Sequence, residues 1–458
     1  MKQKWISLLL ALALLASMCA VTAAAGQEPA PPAETAGEPA EAAPEGESPD
    51  GEAPEEEPVS PAGPDGAEDI RGSALDEKTQ KLLDKVTTQP EPLSSIAFTE
   101  VEQRMRESCL SLKALEETVL MLEEMDYDDL YEDLREKLNG IAQLQWFMVQ
   151  QGTSGSYAYA VWGQQYDALR EQFDAIKDGE LQEDNADAAW QLNSAEDQLV
   201  MAGESLYVAL SAMETQEAST QRKLAALNRS VEEMELRYQL GQISALQLSQ
   251  TRAGQTALVS GLETLRMNIS TCKMQLESLL GAELTGQLAL SALPEVTEKD
   301  LSALDVEKDL LTAKANSYSL HEAALTLADA REDYVDAGGD SPSRPEKLEY
   351  QQAKRAWSSA QYTYNSTLQE YELKFRTLYA QVLDYQQILT AAKVSLECEK
   401  QSFAASELKY QQGAISKNTY LTAQDDLRAA EETVQSASND LFASYNTYCW
   451  AVRHGILN

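Results

Sequence analysis

The chain has 458 residues, with 36 Lys and Arg against 75 Asp and Glu, a formal charge of −39. Groove-binding proteins are usually basic, so this balance argues against a nucleic-acid partner. Ten of the 15 prolines lie between Pro29 and Pro64, and beyond Leu93 only Pro294, Pro342 and Pro345 remain, too few turn residues for an all-β sandwich or barrel. With six Phe, 24% charged residues and abundant Ala, Leu, Gln and Glu, the body is expected to be all-α and built of long helices.

At the N-terminus Lys2 and Lys4 precede an uncharged run from Trp5 to Ala25, and Ala23, Ala24 and Ala25 offer a small-residue cleavage site. Residues 1–25 read as a secretory signal peptide. The run also has the length of an uncleaved anchor, roughly 20 residues. Met18 before Cys19 is a poor neighbour for lipid attachment. Residues 26–94 form an acidic Pro/Ala/Glu-rich segment, in which residues 27–70 carry 14 acids and no Lys or Arg. With almost no large apolar side chains, it cannot offset its ordering entropy and reads as a disordered linker held extended by its own charge.

An exported chain keeps Cys109, Cys272, Cys398 and Cys449, an even number that allows disulfides. A large helical body does not need such staples, and the four also read as small apolar side chains. His321 and His454 are the only histidines, and metal-ligand spacing is absent. No nucleophile–base pair or phosphate loop stands out, so neither an enzyme nor a cofactor or metal is expected.

The helical body divides into a first repeat over residues 95–281, a connector over 282–305 and a second repeat over 306–458. In the first repeat Val101, Met105, Leu112, Leu115, Val119 and Leu122 fall on one helical face. Leu224, Leu227, Val231, Met234 and Tyr238 then step by three and four. Ser156 to Trp162 reads either as one short strand or as continued helix. In the connector, Leu284, Leu288, Leu290, Leu293 and Pro294 indicate a short irregular or β segment.

In the second repeat no Gly or Pro occurs from Glu346 to Gln412, 67 residues. One helix of that length would be about 100 Å long. Tyr350, Trp357, Tyr364, Tyr371, Leu378, Tyr385 and Ala392 recur at a constant step of seven, with Phe375, Val382, Leu389, Leu396 and Phe403 in a second row beside them. A strict seven-residue repeat belongs to coiled-coil packing, and two rows imply neighbours on more than one side.

One segment is duplicated. Glu235 to Ser244 (ELRYQLGQIS) returns 172 residues later as Glu407 to Ser416 (ELKYQQGAIS), identical at seven of ten positions. Gly241 and Gly413 suit the left-handed end of a helix, and Ser244 and Ser416 the N-cap of the next. Ser244 with Gln247 makes a capping-box pattern, and Ile243 with Leu248 and Ile415 with Tyr420 fit hydrophobic staples. Each copy therefore reads as the tip of a long antiparallel hairpin. A weaker match aligns Glu107–Lys113 with Ala315–His321 and is too short to stand alone.

The two tips, Tyr238-Gln-Leu-Gly241-Gln-Ile-Ser244 and Tyr410-Gln-Gln-Gly413-Ala-Ile-Ser416, resemble those of the TolC family of outer-membrane efflux proteins. The resemblance covers residues 95–458. It implies a homotrimeric helical tunnel whose tips dock a membrane-fusion adaptor protein, which connects to an inner-membrane transporter for export of small molecules or peptides. Tyr238, Gly241, Ile243, Ser244, Tyr410, Gly413, Ile415 and Ser416 are then the adaptor-docking and gating candidates. The location implied is the cell envelope: outer membrane or periplasm, or the extracytoplasmic side in a cell with one membrane.

The sequence departs from the family in two ways. Gln247 and Thr419 stand where members often carry Asp. The family also inserts β-hairpins in each half to close a membrane barrel, and a spanning strand needs about 9–11 residues. The interruption Asp336–Pro345 is too short for two such strands, so the barrel is expected to be reduced or missing. The acidity of residues 71–458, net −27, suits either a lumen that attracts cations or a solvated outer face. A coiled-coil rod of the envelope or surface without transport activity is the alternative reading.

Overall fold

The protein is described here from a computed structural model covering residues 90–457. The leader and nearly all of the acidic linker lie outside the described residues. The described chain is all-α, with two strands of two residues each, β1 (Ser95–Ile96) and β2 (Ala289–Leu290). These pair in parallel, Ser95 opposite Ala289 and Ile96 opposite Leu290. No strand among the described residues approaches the length a membrane barrel needs.

In the first half, α1 (Phe98–Ser108), α2 (Leu110–Glu123), α3 (Tyr127–Gln150) and α4 (Tyr157–Asp178) lead to the 60-residue α5 (Glu180–Gln239), which turns back into α6 (Ala245–Leu279). A short α7 (Glu298–Ser302) follows β2. In the second half, α8 (Val306–Asn316) and α9 (Tyr318–Asp336) lead to the 64-residue α10 (Leu348–Gln411), which turns back into α11 (Lys417–His454). At 1.5 Å per residue, α5 and α10 are about 90 and about 96 Å long.

The stripe from Val101 to Leu122 is not one helix. Cys109 has an extended backbone (φ −69°, ψ 117°) that separates α1 from α2. Both pieces keep the stripe because both lie against α5. Ser317 (φ −80°, ψ 111°) separates α8 from α9 in the same way. The weak match between Glu107–Lys113 and Ala315–His321 is thus a duplicated helix break. Each break receives the glycine that ends its half. A Cβ on Gly281 (φ 63°) would lie 2.5 Å from the Ser108 carbonyl oxygen, and one on Gly455 (φ 68°) 2.4 Å from the Ser317 Cα. Only glycine gives both the left-handed backbone and the close approach.

A buried tyrosine on each long helix ties these junctions. The Tyr207 hydroxyl donates to the Ser291 carbonyl at 2.7 Å and lies 3.2 Å from that of Ile96. The Tyr371 hydroxyl donates to the Ala313 carbonyl at 3.0 Å and lies 3.1 Å from that of Gly455. Phe98 meets Tyr207 of its own half and, across the halves, Phe442 of α11, both edge-to-face, with centroids 5.5 and 4.7 Å apart.

The two seven-step rows point into packing. Tyr350, Tyr371, Leu378 and Ala392 are buried in the first row, and Phe375, Val382 and Leu389 in the second. The N-terminal part of α10 meets α9, where Trp357 stacks on Tyr334 at 4.9 Å. Further on it meets α11, where Phe375 lies 5.2 Å from Tyr448.

Ser156 to Trp162 is helical. The Ser156 hydroxyl accepts from the Tyr159 N–H at 3.2 Å and caps α4. α3 and α4 form an antiparallel hairpin with no counterpart in the second half, where α9 passes directly to α10 through residues 337–347. The four cysteines among the described residues are free thiols. Cys109 is buried as an apolar filler would be, but Cys398 is exposed, because it falls outside both seven-step rows of α10.

Candidate functional site: the paired helical tips

The duplicated segment closes two turns with the same bonds. In the first, Gly241 N–H donates to the Tyr238 carbonyl at 2.9 Å and Gln242 N–H to that of Arg237 at 2.8 Å. In the second, Gly413 N–H donates to Tyr410 at 2.9 Å and Ala414 N–H to Lys409 at 2.8 Å. These are Schellman motifs, which require a left-handed residue, and Gly241 and Gly413 sit at φ 69° and 72°. Nothing lies within 4 Å of where a Cβ would stand on either glycine, so the backbone conformation alone requires them.

Each turn ends on a serine cap. Ser244 Oγ accepts from Gln247 N–H at 3.2 Å while Gln247 Oε1 accepts from Ser244 N–H at 3.1 Å, a complete capping box. Ser416 Oγ accepts from Thr419 N–H at 3.2 Å, and the two side-chain oxygens lie 2.9 Å apart. Gln247 and Thr419, where the resembled family often has Asp, are therefore engaged in capping.

Ile243 and Ile415 are half-buried. Behind them the tips differ in one layer. Leu248 and Val231 are buried in the first, where the second has Tyr420 and Phe403, with Tyr420 stacked on Tyr410 at 4.7 Å. The tips also present apolar side chains to solvent: Leu236, Tyr238, Leu240 and Leu246 on the first, Leu408 and Tyr410 on the second.

The tips lie side by side, because α5 is tied to α11 just behind them. Arg222 pairs with Glu432 through both guanidinium amines, and Arg229 with Asp425. Nearer the turns, Asn418 donates to Glu233 at 3.2 Å. Within the first hairpin Arg252 on α6 pairs with Glu235 on α5 at 2.7 Å. All eight residues singled out from the sequence fall on these two turns, and the structure brings the turns together. The cross-ties were not read from the sequence, since their partners lie 196 and 210 residues apart. The usable sign was register: once the tips are level, residues at similar distances behind Gly241 and beyond Ser416 face each other.

A second set of polar groups joins the halves at the helix breaks. Asp197 on α5 receives Arg106 of α1 at 2.7 Å and His454 of α11. Burial would raise its pKa, but the hydrogen bonds from His454 and Arg106 outweigh that and hold it below the ordinary value. Buried Glu204 accepts from Asn446 and from the Trp450 indole, both at 2.7 Å, and burial pushes its pKa up.

No protein-family model matches the sequence, and no curated protein matches it. Solved structures do. The outer membrane protein VceC of Vibrio cholerae is 16% identical, with 60% of this chain and 73% of that one covered and a TM-score of 0.40. The outer membrane channel CmeC of Campylobacter jejuni is 14% identical, covering 63% and 68% at a TM-score of 0.46. The open state of the MtrE outer membrane channel of Neisseria gonorrhoeae is 13% identical, covering 78% and 89% at 0.41. They are of the kind that the tip motifs resemble, TolC-family outer-membrane channels, and the likeness is distant.

Proposed function

We propose that the chain is one protomer of a trimeric efflux duct of the cell envelope, a passive conduit for small molecules or peptides that performs no chemistry on them. The carrying observation is the pair of tips, built with the same bonds at the ends of helices of 60 and 64 residues and set side by side. A rod needs no second tip matching the first bond for bond. Two like tips per chain, repeated threefold, give a ring of six hairpin ends.

In this reading the apolar side chains around Gly241 and Gly413 dock a membrane-fusion adaptor, which links the duct to an inner-membrane transporter. The pairs Arg222–Glu432 and Arg229–Asp425 keep the two tips of a protomer level. The duct has little or no β-barrel, and the acidic body favours cationic cargo if its charge lines the lumen.

The docking assignment is tested with the Gly241→Val/Gly413→Val double variant. A β-branched residue at positive φ is strained by about 1–2 kcal/mol per site. The expected outcome is loss of binding to the purified adaptor, with helix content by circular dichroism nearly unchanged. Adaptor binding at the wild-type level would contradict the assignment.

A further inference from the structure

Five side chains of α11, one heptad apart, hold it to α5. Asn418 donates to Glu233, Asp425 pairs with Arg229 and Glu432 with Arg222. Asn439 donates to Ser211 at 3.5 Å and Asn446 to Glu204 at 2.7 Å. The tips set the register of this seam. Asp425 and Arg229 each stand 12 residues from the glycine of their own turn, and Glu432 and Arg222 each 19.

The duplication gives α6 the same row without its polar groups. The offset of 172 residues carries the five α11 positions back onto Leu246, Ala253, Ser260, Met267 and Met274. None is charged and all five are exposed, Leu246 at 67% and Met267 at 62%. The basic residues of α6 fall on another row, where Arg252, Arg266 and Lys273 pair with α5. The same offset carries Arg222, Arg229 and Glu233 of α5 forward onto Val394, Gln401 and Ala405 of α10, again uncharged and exposed. Ser211 becomes Leu383, and Glu204 becomes Arg376, which pairs with Glu307 of its own chain.

Each of these two rows is half of a seam whose other half is missing from its side. α6 packs against α5, α5 against α11 and α11 against α10, so α6 and α10 are the two ends of the series. We infer that the exposed row of α6 is a subunit seam that takes α10 of a second copy of this chain, as α11 takes α5 within one chain. This rests on the proposed duct and names the contact that closes it. Three features select another copy as the occupant. The matching row exists on the opposite edge of this same chain. Copies as acidic as this one repel, and they approach at least cost where both faces carry no charge. The register also fits: rotation about a ring axis leaves heights unchanged, so Ser260 meets Val394 and Ala253 meets Gln401 at the levels of the two ion pairs inside the chain. The two faces differ, which makes the contact heterologous and able to close a ring. The seam inside a chain is thus polar and ion-paired, and the seam between chains is uncharged and buries Leu246, Met267 and Met274.

The test uses the full chain with every cysteine but the buried Cys109 replaced by Ser. Ser260→Cys/Val394→Cys is added, particle mass is read by sedimentation, and the particle is treated with a short bismaleimide. The expected result is a three-chain particle that yields covalent dimers and trimers in denaturing gels. Ser260→Cys and Val394→Cys singly should yield neither, because unlike faces meet. A three-chain particle without cross-links in the double variant would overturn the seam and leave the duct standing. Cross-links in either single variant would overturn the seam as well, since like faces would then meet. A single-chain particle would overturn the seam and the trimeric duct together.

Discussion

Glu277 shows how one side chain sets the path between the halves. It lies wholly buried near the end of α6, and its carboxylate accepts from Gly286 N–H at 2.8 Å, the Thr285 hydroxyl at 2.8 Å and Leu288 N–H at 3.2 Å. Burial opposes its charge, but these bonds win and hold its pKa below the ordinary value. The carboxylate thereby supplies the partners that the buried backbone of the connector lacks, and delivers the chain to β2. Glu277→Ala is expected to cost about 3 kcal/mol, because it leaves buried N–H groups unpaired. Urea unfolding measures this, and a loss below about 0.5 kcal/mol would contradict the role. Nothing in the sequence around Glu277 marked it, since its partners lie in a loop whose course only the fold reveals.

At the scale of elements, legibility followed the length of the pattern. The two seven-step rows over α10 and the duplicated tip were plain, because each repeats a physical requirement many times or in two places. Ser244, Gly241, Ser416 and Gly413 were readable down to their caps for that reason. The breaks at Cys109 and Ser317 were not, because an extended residue inside a helical stripe leaves the stripe intact when both pieces touch the same neighbour. The segment Ser156–Trp162 was ambiguous for the opposite reason: alternating Tyr and Ala fit a strand or a helix, and the Ser156 cap decides for the helix. The α3–α4 hairpin that results takes the place in the first half where the second half has only a loop.

At the scale of the whole molecule, the halves are joined at two levels: behind the tips by Arg222, Arg229 and Asn418, and at the breaks by Asp197, Glu204 and Phe98. The Asp197 junction has a pH signature. Its folded pKa lies below its unfolded value, so its contribution to stability is present above the ordinary carboxylate range and is lost as pH falls through the folded pKa. Asp197→Asn is expected to lower Tm at neutral pH and to flatten the acid limb of the Tm–pH profile. An unchanged acid limb would contradict this coupling. The charge of −39 divides accordingly: residues 27–70 account for 14 of the 75 acids, and most of the rest lie on the described helices, whose apolar stripes are buried. The direct test of the account is electron microscopy of the purified chain. It predicts threefold-symmetric particles with a central lumen, bounded by helices of about 90–100 Å. Solid rods of one or two chains would contradict it.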